Sequence, residues 1–518
     1  MWCPRSAGVT LECLCPFQSG IDDMSDEPTA ETPASPPLST GDIPETFQIL
    51  SNREPYEHTY DNGDIAVSKP TGGLTTALDG VLQETGGAWI AWGSGDADFD
   101  PSVVTDGNEF RPASGHDDYV LHRLDLSKRE VREYYYGYSN QVLWPLCHLE
   151  TEHVVYDESF WTAYSAVNER FGETVSTDPD GVVWIQDYHL ALVPRVVRDG
   201  GGDAVTLVHF WHIPWPPVET FETCPQRRAL LDGLLANDAV GFHIERYRER
   251  FLECVAELVP SAAVETDAGT VRYDGRVTET YVAPVGVDVR ASAPPDELRS
   301  NPGWQRKKAA YDIDTSKTLA VGVDRLDYTK GLVEKLAALE RVFERHPELR
   351  EELTLVQKVT KSRERIPSYR RYDQRVLERV EAVNARFRTD GWQPVIYINE
   401  RFDRESLRGL LRAADIGAVA SRRDGLNLVA EELVYGTRDD PAVLLLSEFT
   451  GAAELLTDGP VRINPFDTRA FAEAIVRAVE MDDEERRHRH DQMLDDIERH
   501  SLHRWLDTHV DLFTRRLD

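Results

Sequence analysis

The sequence predicts an α/β protein built from two doubly wound domains, and three observations lead there. Short apolar runs bounded by turn residues alternate with helical patterns, as parallel sheets covered by helices require. The 518 residues exceed what one ordinary core accommodates. A stretch rich in proline, asparagine and charge, Arg290 to Asp314, divides the alternation into two series.

In the first series the strands read as Phe47–Ser51, Val182–Gln186, Val205–Phe210, Ala239–Phe242 and Tyr281–Val285. In the second they read as Thr318–Val323, Thr354–Lys358, Val395–Ile398, Ile416–Ala420 and Val443–Leu446. Helical patterns follow from Gly331, over Leu407–Ala414 and over Leu428–Tyr435. The expected order is an extension over 1–45, a first domain over 46–289, a linker over 290–314, a second domain over 315–485 and a helical tail over 486–518. Asp482–His503 is a strongly charged helical segment, and Trp505 and Phe513 give the tail something apolar to dock.

Residues 1–23 differ from the rest, being cysteine-rich and nearly free of acid until Asp22. They lack the layout of a secretory signal. Met24 opens M-S-D-E-P-T-A-E-T-P-A-S-P-P, which reads as a natural start followed by a disordered acidic tail. Residues 1–23 are therefore expected to be dispensable. Cys13-x-Cys15 lacks the two-residue gap usual in zinc and redox sites, so no metal site is read there. Cys147, Cys224 and Cys254 lie in apolar context and read as buried thiols.

The formal net charge is −34, from 91 acidic and 57 basic residues. Such a surface repels nucleic acid and anionic membranes. No apolar run approaches the roughly 18–20 residues of a membrane helix, so a cytoplasmic protein is expected. Acid excess with only nine lysines against 48 arginines resembles proteins of salt-loving organisms. At molar salt, where the Debye length is about 3 Å, self-repulsion is screened.

The most informative segment is T-L-A-V-G-V-D-R-L-D-Y-T-K-G-L, Thr318 to Leu332. Its turn presents Arg325 and Lys330 from the carboxyl end of a strand, where ligands bind in open α/β sheets. A guanidinium fork and an ammonium together grip a diphosphate. Most such pairs are mere surface charges, but in a lysine-poor chain a lysine at this turn is harder to dismiss.

Further segments join it. Ser51-Asn52-Arg53 ends the opening strand, and Gly72-Gly73 precedes a helix whose free N–H groups can meet a phosphate. W-I-Q-D-Y-H-L places Asp187 and His189 past a strand end, where a satisfied structural pair and a functional one are about equally expected. H-I-P places His212 after another strand, in a stiff proline-bounded loop. In R-R-D-G-L-N-L-V-A-E-E, Asp424 sits at a strand-to-helix turn, and the helix opened by Gly425 and Asn427 turns its positive end to a phosphate. Glu432, about two turns into that helix, is placed to accept from a ribose diol.

Taken in order, S-N-R, G-G-L, S-N-Q-V-L-W-P (Ser139–Pro145), D-Y-H-L, H-I-P, V-D-R-L-D-Y-T-K-G, F-D-R and D-G-L-N-L-V-A-E-E resemble the trehalose-6-phosphate synthase family over roughly residues 45–515. The resemblance implies the GT-B architecture, two Rossmann-like domains facing a cleft with a C-terminal helix packing back. It implies no metal or other cofactor. It implies transfer of glucose from a nucleotide-glucose, UDP-glucose first, to glucose 6-phosphate with retention, in trehalose biosynthesis and osmoprotection. By the same resemblance Arg325 and Lys330 meet the donor diphosphate, and Glu432 the ribose. Backbone groups at Gly73, Asn427, Leu428 and Val429 meet the phosphates. Asp424 and His212 hold hydroxyls of the transferred glucose, Asp187 meets the acceptor sugar, and Arg53, Tyr135, Trp144 and Arg363 hold the acceptor phosphate. Expected partners are these small molecules, a possible homo-oligomer and a separate phosphatase acting on the product. D-I-D-T at Asp312–Thr315 precedes a strand instead of ending one, so it does not read as a phosphatase motif.

The sequence departs from the family around Arg363, which follows K-V-T-K-S, around Trp89–Gly95, and at Glu431, where a lysine is usual. The competing readings are a related synthase with another phosphorylated acceptor, such as glycerol 3-phosphate, and a non-catalytic sugar-phosphate sensor.

Overall fold

Two sheets organise the chain, and their carboxyl edges carry the motifs. In the computed structural model, residues 44, 46–69, 73–105, 107–112, 116, 118–289 and 300–517 are described. Cys3, Cys13, Cys15, the Met24 opening, Gly72 and residues 290–299 lie outside them.

Strands β1 (Phe47–Leu50), β2 (Glu57–Asp61), β3 (Asp64–Ser68), β4 (Gly87–Trp92), β5 (Glu109–Phe110), β6 (Tyr119–Leu124), β7 (Val182–Gln186), β8 (Thr206–Trp211), β9 (Ala239–Phe242), β10 (Ala263–Glu265), β11 (Thr270–Tyr273) and β12 (Arg276–Val282) belong to the first part of the chain. Apart from the separate β2–β3 hairpin they form a ten-stranded sheet, ordered β10-β11-β12-β9-β8-β7-β1-β4-β6-β5. Its centre, β12 through β6, is parallel. The second sheet has six strands, β13 (Thr318–Leu326), β14 (Leu353–Lys361), β15 (Val395–Ile398), β16 (Ile416–Val419), β17 (Val443–Ser447) and β18 (Val461–Ile463). Its order is β15-β14-β13-β16-β17-β18, parallel throughout. Strands such as V-V-W-I-Q and V-L-L-L-S are buried along their whole length, as strands covered by helices on both faces are.

The expected strands at Val182–Gln186, Ala239–Phe242 and Val395–Ile398 coincide with β7, β9 and β15. Three readings differ. The strand expected at Tyr281–Val285 lies earlier, because E-T-Y-V (Glu279–Val282) pairs with β9 and the chain leaves the sheet after Val282. Strand β13 runs on to Leu326, so Arg325 projects from the strand's end instead of the turn. Part of the segment expected as linker is the helix Pro302–Ala310, capped by Asn301. Strands β4, beside β1, and β6, beside β4, are additions. In β6, Arg123 is only 1% exposed, because Glu54 accepts from its Nε at 2.6 Å and the Tyr56 carbonyl from its Nη2 at 2.9 Å.

The charged segment ends as helix Asp483–Arg499, and a second helix, Leu502–Leu517, follows. The break falls where the Leu502 N–H donates to the Val287 carbonyl at 3.2 Å. Here the returning chain meets the outgoing one, and Gly286 lies so close to the His500 carbonyl that a Cβ would not fit. The last helix then docks on the first sheet. Trp505 lies 4.9 Å from the Trp184 ring, and Phe513 lies 5.7 Å from Phe47. No helix among the described residues is long and apolar enough to cross a membrane.

Candidate active site

Residues beyond the carboxyl ends of both sheets converge, as ligand-binding residues of open α/β sheets do. Three of them are non-glycine residues in left-handed backbone conformations: Asp187 (φ 71°), Arg363 (φ 52°) and Asn427 (φ 84°). Such conformations cost of order 1–3 kcal/mol each and persist where surrounding contacts enforce them.

The expected acceptor residues form one cluster. The Arg363 guanidinium carbon stands 4.0 Å from the Trp144 ring centroid, a cation–π distance. Its Nη1 donates to Tyr369 Oη at 2.6 Å and to Asp327 Oδ2 at 3.2 Å, and its Nη2 donates to Tyr188 Oη at 3.3 Å. Arg53, exposed three residues beyond β1, donates from Nη2 to Tyr135 Oη at 3.2 Å. Burial alone would raise the Tyr135 phenol, but Arg363 and Arg53 beside it outweigh burial and bring it down to about 8. The cluster is therefore cationic and suited to a phosphate.

Tyr135 and Trp144 are nine positions apart on one helical segment. At 3.6 residues per turn such positions fall on opposite faces. Val131–Leu143 is instead π-helical, and the Trp144 N–H donates to the Ser139 carbonyl five residues back. Both side chains consequently reach Arg363.

On the expected donor side, the Arg325 guanidinium carbon lies 5.0 Å from the same Trp144 ring. Lys330, buried, pairs with Asp424 Oδ2, which also accepts from Asn427 Nδ2 at 2.8 Å and Ser421 Oγ at 3.2 Å. Burial would raise the Asp424 carboxyl, yet Lys330 holds it down at about 2. The expected diphosphate lysine and the expected sugar aspartate are thus one ion pair. Gly331 bends left-handed against the Ala420 carbonyl, and Gly425 lies against the His212 carbonyl with no room for a Cβ. That contact brings the Asp424 loop onto the β8 loop.

Helix Leu428–Gly436 opens at Asn427 without a side-chain cap, so the amides of Leu428 and Val429 begin it as expected of a phosphate-facing end. Gly73 opens helix Gly73–Thr85. Glu432 is partly buried, and burial raises its carboxyl against the pull of Arg408 and Arg404.

His212 sits in a chain of side-chain hydrogen bonds. The Val285 N–H donates to His243 Nδ1 at 3.4 Å, which leaves His243 Nε2–H to donate to His212 Nδ1 at 3.3 Å. His212 Nε2–H then donates to Gln186 Oε1 at 2.8 Å. Both ring nitrogens are engaged, so the imidazole is held neutral and braced from behind. Asp187 receives the His212 backbone N–H at 3.3 Å, and burial raises its carboxyl to about 7. His189 stacks on Tyr135, and its two ring nitrogens have no hydrogen-bond partner. The satisfied Asp-His pair is therefore not what forms, since His189 Nδ1 is 3.7 Å from Asp187 Oδ2.

Tyr188, Asp327 and Tyr369, which bond Arg363, and His148, which stacks on Trp144 at 4.0 Å between ring centroids, also belong to the site and are not singled out by the sequence. Tyr188 and Asp327 sat inside motifs already noticed, D-Y-H-L and L-D-Y, which was the available signal. Among the described residues, Glu150, Glu152 and His153 bring ligand-type atoms together, but Glu150 is paired with Arg422 at 2.8 Å.

Glu431 is buried, and its Oε2 accepts the Val287 N–H at 3.1 Å. Burial raises its carboxyl from about 4.5 to about 8. A raised carboxyl contributes stability that is complete below its unfolded pKa and is lost as pH rises through the folded one. Glu431→Gln, which stays neutral, should therefore gain melting temperature relative to the parent between about pH 5 and 9. Melting curves taken in parallel check this, and a pH-independent difference would refute it.

The sequence pattern of glycosyltransferase family 20 matches residues 45–515. The Sinorhizobium fredii trehalose-6-phosphate synthase is 35% identical over 88% of this chain and 96% of its own length. The Dictyostelium discoideum α,α-trehalose-phosphate synthase (UDP-forming) A is 33% identical over 88% of this chain, which spans 61% of that longer protein. Among solved structures, the E. coli protein bound with UDP-2-fluoro glucose superposes with TM-score 0.78 at 29% identity, covering 90% of this chain and 99% of its own. The Burkholderia xenovorans α,α-trehalose-phosphate synthase in complex with glucose 6-phosphate gives 0.76 at 29%, covering 91% and 99%.

Proposed function

The chain belongs to glycosyltransferase family 20, and we propose that it transfers glucose from UDP-glucose to glucose 6-phosphate with retention, giving α,α-trehalose 6-phosphate. One observation carries the reading. The donor-side Arg325 and the acceptor-side Arg363 lie 5.0 and 4.0 Å from a single Trp144 ring. A diphosphate on one guanidinium and a hexose phosphate on the other would then lie side by side.

That placement supports attack on the same face from which the diphosphate departs. The anomeric carbon–oxygen bond to the diphosphate breaks, the bond to the acceptor hydroxyl oxygen forms, and the hydroxyl proton passes to the departing phosphate. Arg325, and Lys330 through the donors its Asp424 contact leaves over, would stabilise the leaving charge, while the acceptor cluster holds the nucleophile on that same face. This assigns charge neutralisation to the chain's own cations, with no metal or cofactor called for. Asp424, held near 2 by Lys330, is a poor proton carrier and serves to orient the sugar. Retaining hydrolases place two carboxylates about 5–5.5 Å apart, one as nucleophile. Here Asp424 is occupied by its cation, which favours the substrate-assisted route. The product is a phosphate monoester, so a phosphatase-class enzyme would follow it. The acid-rich, lysine-poor surface further supports work at high salt.

The test pairs UDP-, GDP- and ADP-glucose with glucose 6-phosphate or glycerol 3-phosphate, at about 0.1 M and at molar KCl. UDP-glucose with glucose 6-phosphate should yield trehalose 6-phosphate, with activity kept at molar salt. A preference for glycerol 3-phosphate, or no transfer at all, would overturn the reading.

A further inference from the structure

The π-helical stretch Val131–Leu143 has thirteen residues, whereas π-winding elsewhere is mostly a single turn inserted in an α-helix. It needs a cause, and Asn140 supplies one. Asn140 is 1% exposed, and its Nδ2 donates to the Tyr135 carbonyl at 2.7 Å. The side chain thereby ties residue 140 to the residue five before it, which is the π spacing. Gln141 repeats the device one step on, its Nε2 donating to the Tyr136 carbonyl at 2.9 Å. The other end of the Asn140 amide points elsewhere. Its Oδ1 accepts from Tyr188 Oη at 2.9 Å, and the same hydroxyl accepts from Arg363 Nη2. One buried amide thus joins the Tyr135 backbone, through Tyr188, to Arg363. Gly137 allows the stretch to lie against the next helix, because a Cβ there would meet the Phe160 ring at 2.7 Å.

Resting on the acceptor assignment above, we propose that Asn140 is a positioning residue that sets the specificity for a 6-phosphorylated sugar. By locking the π register it brings Tyr135 and Trp144, nine positions apart, onto the side facing Arg363. Through Tyr188 it fixes the guanidinium between them. It does not touch the substrate. Its contribution is the spacing of the aromatic and cationic groups about the phosphate.

The readout is the ratio of kcat/KM for glucose 6-phosphate to that for unphosphorylated glucose, each measured with saturating UDP-glucose, together with UDP affinity. For Asn140→Ala the ratio should fall about tenfold or more, mainly through the KM of glucose 6-phosphate, with UDP affinity within about twofold of the parent. Tyr188→Phe removes only the bridging hydroxyl and keeps the ring. It should lower the ratio in the same direction by a smaller factor, which keeps the proposal testable if the Asn140 variant does not fold. An unchanged ratio in either soluble variant, or equal weakening toward UDP and glucose 6-phosphate, overturns it. A parent protein that makes no trehalose 6-phosphate would instead remove the acceptor assignment on which it stands.

Discussion

Asp424→Ala is expected to lower turnover by about three orders of magnitude, the equivalent of roughly 4 kcal/mol, and to destabilise the fold by about 3–5 kcal/mol. Lys330 is 7% exposed and Asp424 is its ion-pair partner, so the truncation strands a buried ammonium. Asn427 Nδ2 and Ser421 Oγ lose the same acceptor, which loosens the turn that opens helix Leu428–Gly436. Chemistry and stability fall together because one carboxylate serves both. Denaturant melts and initial rates check this, and the double variant with Lys330→Met separates the causes. With no cation to strand, it should be more stable than Asp424→Ala alone while remaining inactive. If Asp424→Ala melts like the parent, the pair does not hold the loop.

Arg363→Ala should raise the KM for glucose 6-phosphate about ten- to a hundredfold, since a charge-assisted hydrogen bond lost to the phosphate is worth about 1.5–3 kcal/mol. The donor KM should stay within a few-fold. Stability should drop as well, because Asp327 is fully buried and Arg363 is bonded to it and to Tyr369. Arg363→Lys should rescue little. One ammonium cannot donate to Asp327, Tyr369 and Tyr188 in the planar fork while covering the Trp144 ring. Equal weakening of both substrates would falsify the acceptor placement.

The sequence made the parallel strands legible where they were apolar but for their last residue, as in β7 and β17. It hid β6, where Arg123 in Y-V-L-H-R-L looks like a surface residue. Only partners distant in sequence, Glu54 and Asp98, make that position a core one. The site's cations were visible because they stand in short local motifs at strand ends. What was not visible is how those groups use one another. That Lys330 spends its charge on Asp424, or that His212 is braced at both nitrogens, depends on contacts between separate loops. Likewise, helical periodicity assumes 3.6 residues per turn, and by that period Tyr135 and Trp144 would not share a face.

The meeting of Val287 with Leu502 has a mechanical consequence. The polypeptide travels from the first sheet to the second near Gly286 and comes back near Ser501, and the two passages are bonded to each other. A single tether would let the sheets swing and twist in any direction. Two passages bonded side by side restrict how the sheets can turn against each other far more than one would. Glu431 and Tyr435 bind that junction at Val287 and Val289 from the very helix that carries Glu432. The junction at Val287 and the helix that carries Glu432 are therefore one piece.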